Sequence, residues 1–484
     1  MISLKMLCEG IVSIPDHPGM SGKVTGIASD SRRVKSGYLF VAISGYEVDG
    51  HDFILEAIRR GVCGLVVEKK IDEQSVPVFQ VKESRQVLAQ LVHRFYGESL
   101  KNIQLLGITG TNGKTTVSYL LESIFKTAGM EVGLIGTVSY RWKEKEISAN
   151  RTTPDVIDLY QLLGKMQNDG VRMVVMEISS HALALHRVLG MRFRAAIFTN
   201  LSRDHLDFHR SFEQYGKAKS MLFGMLSPDG VGVVNGDDPA SQLMLQSANG
   251  RAVTYGKVNT PVDYQIKGIK EAQGQTQFDV VHHGRRIHLT TKLWGKFNVM
   301  NCTAAAVTGL ELGLDEKVVR EGIEKICHVK GRMEAIDSDR GFHIFIDYAH
   351  TPDALQNVLV TVRAFTKKRL IVVFGCGGDR DKGKRPEMGK IAVTLADVIF
   401  ITSDNPRSED PEVIIQDILV GIDSLDHIVT IIDRKEAIHA ALDHAREGDV
   451  VVIAGKGHED YQIIGLRRIP FDDKVIVKEY LGIP

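Results

Sequence analysis

Gly107-Ile-Thr-Gly110-Thr111-Asn112-Gly113-Lys114-Thr115-Thr116 is a glycine-rich turn between an apolar segment and a helix-like one. Its glycines let backbone N–H groups wrap a polyphosphate. Lys114 can reach the terminal phosphates, and the Thr115 hydroxyl can sit on Mg²⁺. Ile103 to Ile108 reads as a strand and Thr115 to Thr127 as a helix, whose N-terminus adds its own attraction for an anion. The flanking pattern predicts an α/β domain that binds a nucleoside triphosphate.

Working outward, 484 residues exceed one ordinary core and suggest roughly three domains. Lys+Arg and Asp+Glu each total 60, so charge makes no case for a nucleic-acid partner or an acidic membrane surface. Cys8, Cys63, Cys302, Cys327 and Cys376 are scattered, without a metal-binding pair or disulfide pattern. They imply a reducing cytosol. No long apolar signal segment or membrane span is evident, so the expected location is cytoplasmic.

The first hundred residues alternate short strands, Tyr38 to Ile43 and Gly64 to Val67, with a helix over Asp52 to Arg60. A junction is expected at Gly97 to Lys101. Beyond it, Met173 to Met176 and Ala195 to Thr199 read as strands. Asp155 to Asn168 and Phe297 to Glu311 read as helices, the latter with a small-residue face suited to close packing. The last third predicts a parallel sheet from Leu370 to Phe374, Val398 to Thr402, Ile428 to Ile432 and Val450 to Ala454. Its crossover helices are read around Glu387 to Leu395, Pro411 to Leu419 and Arg434 to His444. Such sheets bind ligands at their carboxyl ends. The loops Gly375 to Arg385, Ser403 to Pro411 and Gly455 to Tyr461 are therefore expected to converge on one pocket.

Polar clusters follow the central strands. Glu177-Ile-Ser-Ser-His181 and Asn200-Leu-Ser-Arg-Asp204-His205-Leu-Asp207-Phe-His209 sit just past strand ends, where Glu177 and His205 could serve metal or phosphate. Asp204 and His209 could equally cap or brace the connection. Histidine spacing here lacks the closed ligand set of zinc, and ATP-linked magnesium is better supported. Gly331-Arg332-Met-Glu334 and Asp347-Tyr-Ala-His350 form a third constellation, in which arginine could neutralise phosphoryl charge or Asp347 and His350 could organise a turn. In the last domain, Arg380, Arg407 and Glu459 suit a small zwitterion, guanidinium for carboxylate and Glu459 for ammonium. ATP in one domain and an amine in another imply ligase logic, in which ATP activates a carboxylate as an acyl phosphate and the amine displaces phosphate.

The ordered set Gly110–Thr116, Met176–His181, Asn200–His205, Gly331–Glu334 and Asp347–His350 resembles the ATP-dependent Mur ligases of bacterial peptidoglycan synthesis. The resemblance implies three α/β domains: a UDP-binding domain over 1–98, a P-loop ATPase domain over 99–329, and a Rossmann-like parallel-sheet domain for the amino acid over 330–484. It assigns Gly110, Thr111, Asn112, Gly113, Lys114, Thr115, Thr116, Asn301, Arg332 and Asp347 to ATP. Thr115, Glu177 and His205 fall to Mg²⁺, together with Lys219 as a carbamate (N6-carboxylysine). Lys114, Glu177, His205 and Lys219 form the implied catalytic set. Ser29, Ser31, Thr152, Thr153, Ser179 and Arg187 match the UDP-substrate site, with Arg151 standing where many relatives carry asparagine. Asp404-Asn405-Pro-Arg407 resembles the motif of members that add meso-2,6-diaminopimelate to UDP-N-acetylmuramoyl-L-alanyl-D-glutamate. Arg380, Gly455 and Glu459 complete that pocket, where Arg407 would grip the distal carboxylate that lysine lacks. A monomer is expected. The long first domain and the acceptor-pocket motifs argue against a folylpolyglutamate synthase-like ligase, and the converging polar loops and zwitterion-like groups of the last domain against a nucleotide-dependent switch.

Overall fold

The computed structural model describes residues 2–45, 48–73, 75–257, 261–272 and 274–483. They fall into two compact units. One comprises Met1–Gly107, Glu131–Arg194 and Gly224–Pro228, and the other Ile108–Met130, Ala195–Phe223 and Asp229–Pro484.

In the first unit, Gly26–Ala28, Tyr38–Val41, Gly64–Val67 and Val78–Gln80 form a four-stranded parallel sheet in sequence order. Its apolar runs bury Ala28, Phe40, Leu65 and Val67 against Ile54 and Ala57 of the helix Ile54–Arg59. The expected helix from Asp52 starts later because Gly50–Phe53 forms a 3₁₀ turn, capped by Asp49 accepting the His51 N–H. The helices Ser84–Tyr96 and Val156–Asn168 meet where His93 Nδ1 lies 2.8 Å from the Tyr160 hydroxyl. Met173–Glu177 pairs in parallel with Val132–Ile135, which continues into an antiparallel meander through Ser139–Trp142 and Lys145–Ser148.

The second unit holds the phosphate loop and everything after Asp229. Its helix Lys114–Thr127 begins one residue before the expected start. The helix Lys296–Glu311 buries Ala304, Ala305 and Ala306, as its small-residue face predicts. On the neighbouring helix Glu316–Glu324, a Cβ at Gly322 would lie 2.5 Å from Ile124 Cα, so backbone approaches backbone where only glycine fits. Tyr264–Ala272, Gln275–His282 and Arg285–Thr291 make an antiparallel meander that the sequence reading does not contain. One of its faces is exposed, so its strands alternate polar and apolar residues rather than forming apolar runs.

The last third is a six-stranded sheet ordered Glu334–Ile336, His343–Asp347, Val450–Ala454, Leu370–Phe374, Val398–Ile401, Ile428–Thr430. All pairs are parallel except the first. Pro352–Arg363, Lys384–Leu395 and Pro411–Leu419 cover one face; Arg434–His444 and Asp473–Leu481 cover the other. This doubly wound arrangement brings the loops after Phe374, Ile401 and Ala454 to one carboxyl edge, as expected.

Candidate active site

The phosphate loop is shaped by two glycines with positive φ. A Cβ at Gly110 (φ +151°) would lie 1.8 Å from Thr199 Oγ1, and one at Gly113 (φ +88°) 2.4 Å from Asn301 Oδ1. Asn301 therefore packs its buried amide beneath the loop, where its Nδ2 also donates to Asn298 Oδ1 at 2.9 Å. Lys114 Nζ folds onto Gly110 O and Thr111 O, both at 2.9 Å. The Thr111 N–H donates to Asn200 O at 2.9 Å, and Asn112 Nδ2 to Asp353 Oδ2 at 2.7 Å. Thr115 and Thr116 are buried in the first helical turn.

Lys219, on the helix Phe212–Gly224, has only 1% of its surface exposed, and its Nζ donates to Gly110 O at 2.7 Å. Two amines thus share one carbonyl. Burial first, and then the Lys114 charge, hold the Lys219 amine well below the usual lysine range, with Asp204 opposing. His205 takes a left-handed conformation (φ +55°) with its Nε2 3.3 Å from Asp204 Oδ2. Burial alone would raise the Asp204 carboxyl, but Lys384, His205 and His350 outweigh it and hold the group well below the carboxylate range. Asp204 thereby braces residues of the last third, with Lys384 and His350 at 3.7 Å. Beside it, Arg203 pairs with Asp381 at 3.0 Å. His209 is buried, and burial with the nearby Lys219 pushes its imidazole down to about 4.

Arg332 and Asp347 part company. Arg332 donates to Thr115 Oγ1 at 3.1 Å, whereas the buried Asp347 carboxylate accepts the Met333 N–H at 2.7 Å and braces the Gly331–Glu334 turn. Burial raises the Asp347 carboxyl against the pull of Arg332.

At the carboxyl edge of the last sheet, Asp404, Asn405, Arg407, Gly455 and Glu459 do converge. Asn405 Nδ2 donates to Glu459 Oε2 at 2.9 Å, and a Cβ at Gly455 would lie 2.6 Å from Asp404 Oδ2. Arg407 occupies left-handed backbone (φ +52°), pinned to the hairpin Tyr461–Ile464 and Arg467–Pro470. Its N–H donates to Ile463 O at 3.0 Å, and its carbonyl accepts the Gly465 N–H at 2.7 Å. One guanidinium nitrogen donates to Gly378 O at 2.7 Å. Burial, and then the charge of Arg380, push the Arg407 guanidinium below its usual range. Two clustered guanidinia beside an acid make a receptive place for a ligand carboxylate. Arg380 is exposed and donates to Asp379 O.

Three residues of this pocket escape the sequence reading. Lys456 is fully buried with its Nζ 3.2 Å from both Asn405 Oδ1 and Glu459 Oε2. Arg434 forms a buried ion pair with Asp473 at 2.8 Å and donates to Ala454 O. Tyr348 reaches Glu459 Oε1 with its hydroxyl at 3.3 Å. Burial would raise Asp404, yet Lys456 and Arg434 lead the charges that hold it low. Tyr348 and Lys456 lie inside polar motifs and Arg434 outside them, and none declares itself, since burial and pairing depend on segments far apart in the chain.

In the first unit, Thr152, Thr153, Glu177, Ser179 and Arg187 form one cluster. Glu177 accepts the Thr137 N–H at 3.0 Å and its hydroxyl at 2.8 Å, and Thr137 Oγ1 lies 3.1 Å from Thr152 Oγ1. Thr153 Oγ1 donates to Glu177 O at 2.8 Å and accepts the Ser179 N–H at 3.1 Å. Arg187 donates to Thr153 O at 3.0 Å and pairs with Asp155 at 2.9 Å, while Arg151 lies 3.5 Å from the same carboxylate. Ser29 follows the strand Gly26–Ala28; the buried Ser31 donates to Glu56 Oε2 at 2.8 Å. The neighbouring Arg33 pairs with Asp158 at 2.6 Å.

Among the described residues, no three of His, Cys, Asp and Glu converge as a metal cage. Thr115 and Glu177 each offer an oxygen donor of the type that suits Mg²⁺.

Three domain profiles match the chain in order: the catalytic domain of the Mur ligase family over residues 23–96, the Mur ligase middle domain over 108–309, and the glutamate ligase domain over 331–457. UDP-N-acetylmuramoyl-L-alanyl-D-glutamate--2,6-diaminopimelate ligase of Bacillus licheniformis is 43% identical, covering 99% of both chains. The protein of the same name from Aquifex aeolicus is 44% identical over 95% of this chain and 94% of its own. A solved structure of a ligase of that name superposes with a TM-score of 0.70 at 34% identity, covering 99% of each chain.

Proposed function

The chain belongs to the Mur ligase family, and on that premise we propose that it joins meso-2,6-diaminopimelate to UDP-N-acetylmuramoyl-L-alanyl-D-glutamate at the expense of ATP. The terminal carboxylate of the nucleotide-linked substrate attacks the γ-phosphorus, ADP departs, and an acyl phosphate results. The amine nitrogen then attacks the acyl carbon, phosphate leaves with the oxygen that joined it to carbon, and the nitrogen sheds a proton. The products are an amide, ADP and phosphate, a cytoplasmic step of peptidoglycan precursor synthesis. The observation that carries this reading is the pairing of a phosphate loop with a pocket that sets Arg407 and Arg380 against Glu459.

Residue roles follow the same proposal, over domains spanning 1–98, 99–329 and 330–484. Lys114 and the backbone of Gly110–Thr116 hold the ATP phosphates, Asn301, Arg332 and Asp347 serve the nucleotide, and Thr152, Thr153, Ser179 and Arg187 with Ser29 and Ser31 hold the UDP substrate. Thr115, Glu177, His205 and Lys219, as its carbamate, are assigned to magnesium, which when bound supplies charge neutralisation during phosphoryl transfer. The depressed Lys219 amine supports its part, because the neutral form adds carbon dioxide through a new N–C bond and releases a proton. Arg407 and Arg380 receive the distal carboxylate of diaminopimelate, and Glu459 receives the adjoining ammonium.

The test is phosphate release by the purified protein with Mg²⁺, ATP and the UDP-linked dipeptide, comparing meso-diaminopimelate with L-lysine and weighing the product. Turnover confined to diaminopimelate is expected. Preference for lysine overturns the assignment of Arg407, and no product with either amine overturns the ligase.

A further inference from the structure

Tyr348 follows directly on the strand His343–Asp347, and its sequence context assigns it no role. Tyr348 donates its N–H to Gly331 O at 3.0 Å, inside a fold-over of two glycine turns. A Cβ at Gly331 (φ +67°) would lie 2.3 Å from His458 N, and one at Gly457 (φ +54°) 2.7 Å from Tyr348 Cβ. The two loops therefore close around this side chain on backbone that glycine alone supplies without strain.

The ring and the hydroxyl face different machinery. The Arg332 guanidinium lies over the ring, 4.5 Å from its centroid, and donates onward to Thr115 Oγ1 at 3.1 Å, in the turn that follows the phosphate loop. The hydroxyl meets Glu459 Oε1 at 3.3 Å, while Asn405 and Lys456 hold Oε2. His350 and His458 flank the ring at 4.6 and 4.9 Å. We propose that Tyr348 is a positioning residue that sets Arg332 on the nucleotide side and Glu459 on the amine side, so that one side chain aligns both partners of the ligation.

The physical basis is separable. A ring face attracts a guanidinium electrostatically and limits its rotation. A phenol O–H donated to a carboxylate fixes that carboxylate's rotamer. Burial, and next the Glu459 charge, keep the phenol protonated and therefore a donor. The inference rests on the ligase reading above, with Glu459 as the ammonium acceptor.

Steady-state kinetics of Tyr348→Phe and Tyr348→Leu test it, beside wild type and with thermal unfolding as the control for folding. Tyr348→Phe keeps the ring face and loses the hydroxyl: KM for the amine rises about three- to tenfold, with KM for ATP within about twofold of wild type. Tyr348→Leu loses the face too, and KM for ATP also rises about fivefold. An unchanged amine KM in Tyr348→Phe overturns the assignment, as does a loss of kcat alone shared by both variants. Tyr348→Phe is near-isosteric and decides the matter whether or not Tyr348→Leu folds. Wild type inactive with either amine overturns the ligase reading, and this inference with it. An active wild type with an indifferent Tyr348→Phe overturns the tyrosine assignment alone.

Discussion

Lys219 and Lys456 are buried almost equally, with 1% and 0% of their surfaces exposed, yet they stand in opposite surroundings. Lys219 donates to a carbonyl that Lys114 also uses, and its amine is driven toward the neutral form. Lys456 donates to the carboxylate of Glu459 and the amide of Asn405, and its charge helps hold Asp404 ionised. Burial fixes neither chemistry; the partner does. Beside the phosphate loop the surroundings favour a neutral amine, and at the edge of the last sheet they pair the amine with a carboxylate.

The largest effect expected from this contrast is on turnover. Lys219→Met should lower kcat by roughly 10³-fold in the phosphate-release assay while circular dichroism stays native. A variant retaining more than about a tenth of wild-type kcat would break the distinction. Stability should show the reverse. Lys456→Met should cost about 3–4 kcal/mol in urea unfolding, because Glu459 loses its buried counter-charge, whereas Lys219→Met should cost nothing measurable. Adding Glu459→Gln to Lys456→Met should recover most of the loss, since removing both partners leaves no orphaned charge.

A smaller change is expected at the pocket's receptive arginine. Arg407→Lys should raise KM for diaminopimelate about thirtyfold and shrink the preference over lysine, because an ammonium cannot reproduce the fork. Equal KM values would show that the arginine's shape is irrelevant. The mildest effect belongs to a third buried cation, Arg385, whose guanidinium takes Glu409 at 2.9 Å and Asp417 at 2.8 Å. Arg385 holds the Glu409 carboxyl at about 2. A carboxyl lowered in the folded state contributes stability above its ordinary range near pH 4 and loses it as pH falls toward 2. Glu409→Gln should therefore destabilise by about 1–2 kcal/mol at neutral pH, and the gap to wild type should close between about pH 4 and pH 2 in thermal unfolding.

The parts of this site that are legible in the sequence are those whose chemistry is local. The phosphate loop is one turn, so Gly110, Gly113 and Lys114 declare themselves through spacing. The apolar runs of Leu370–Phe374 and Val450–Ala454 predict a parallel sheet, and with it the edge where three loops meet. Asn112 and Asp353 meet across 241 residues, and no local pattern records that contact. Lys456 stands in a glycine turn that reads as exposed, and only the fold reveals its burial. Tyr348 lies within Asp347–His350, where its acidic and basic neighbours carry the sequence signal, because a tyrosine's two-sided use depends on what packs on each face. Lys219 takes its role from family resemblance alone, since the sequence context of a helical lysine gives no sign of its burial.

The acyl phosphate is the central intermediate of the proposed ligation, and oxygen transfer is its signature. The UDP-linked dipeptide is labelled with ¹⁸O in both oxygens of its reacting carboxylate, then turned over with Mg²⁺, ATP and meso-diaminopimelate, and the released phosphate is weighed by mass spectrometry. One ¹⁸O is expected in every phosphate, because the carboxylate oxygen that attacks phosphorus departs with it. Unlabelled phosphate alongside product formation would mean that the carboxylate never bonds to phosphorus, and would contradict the mechanism.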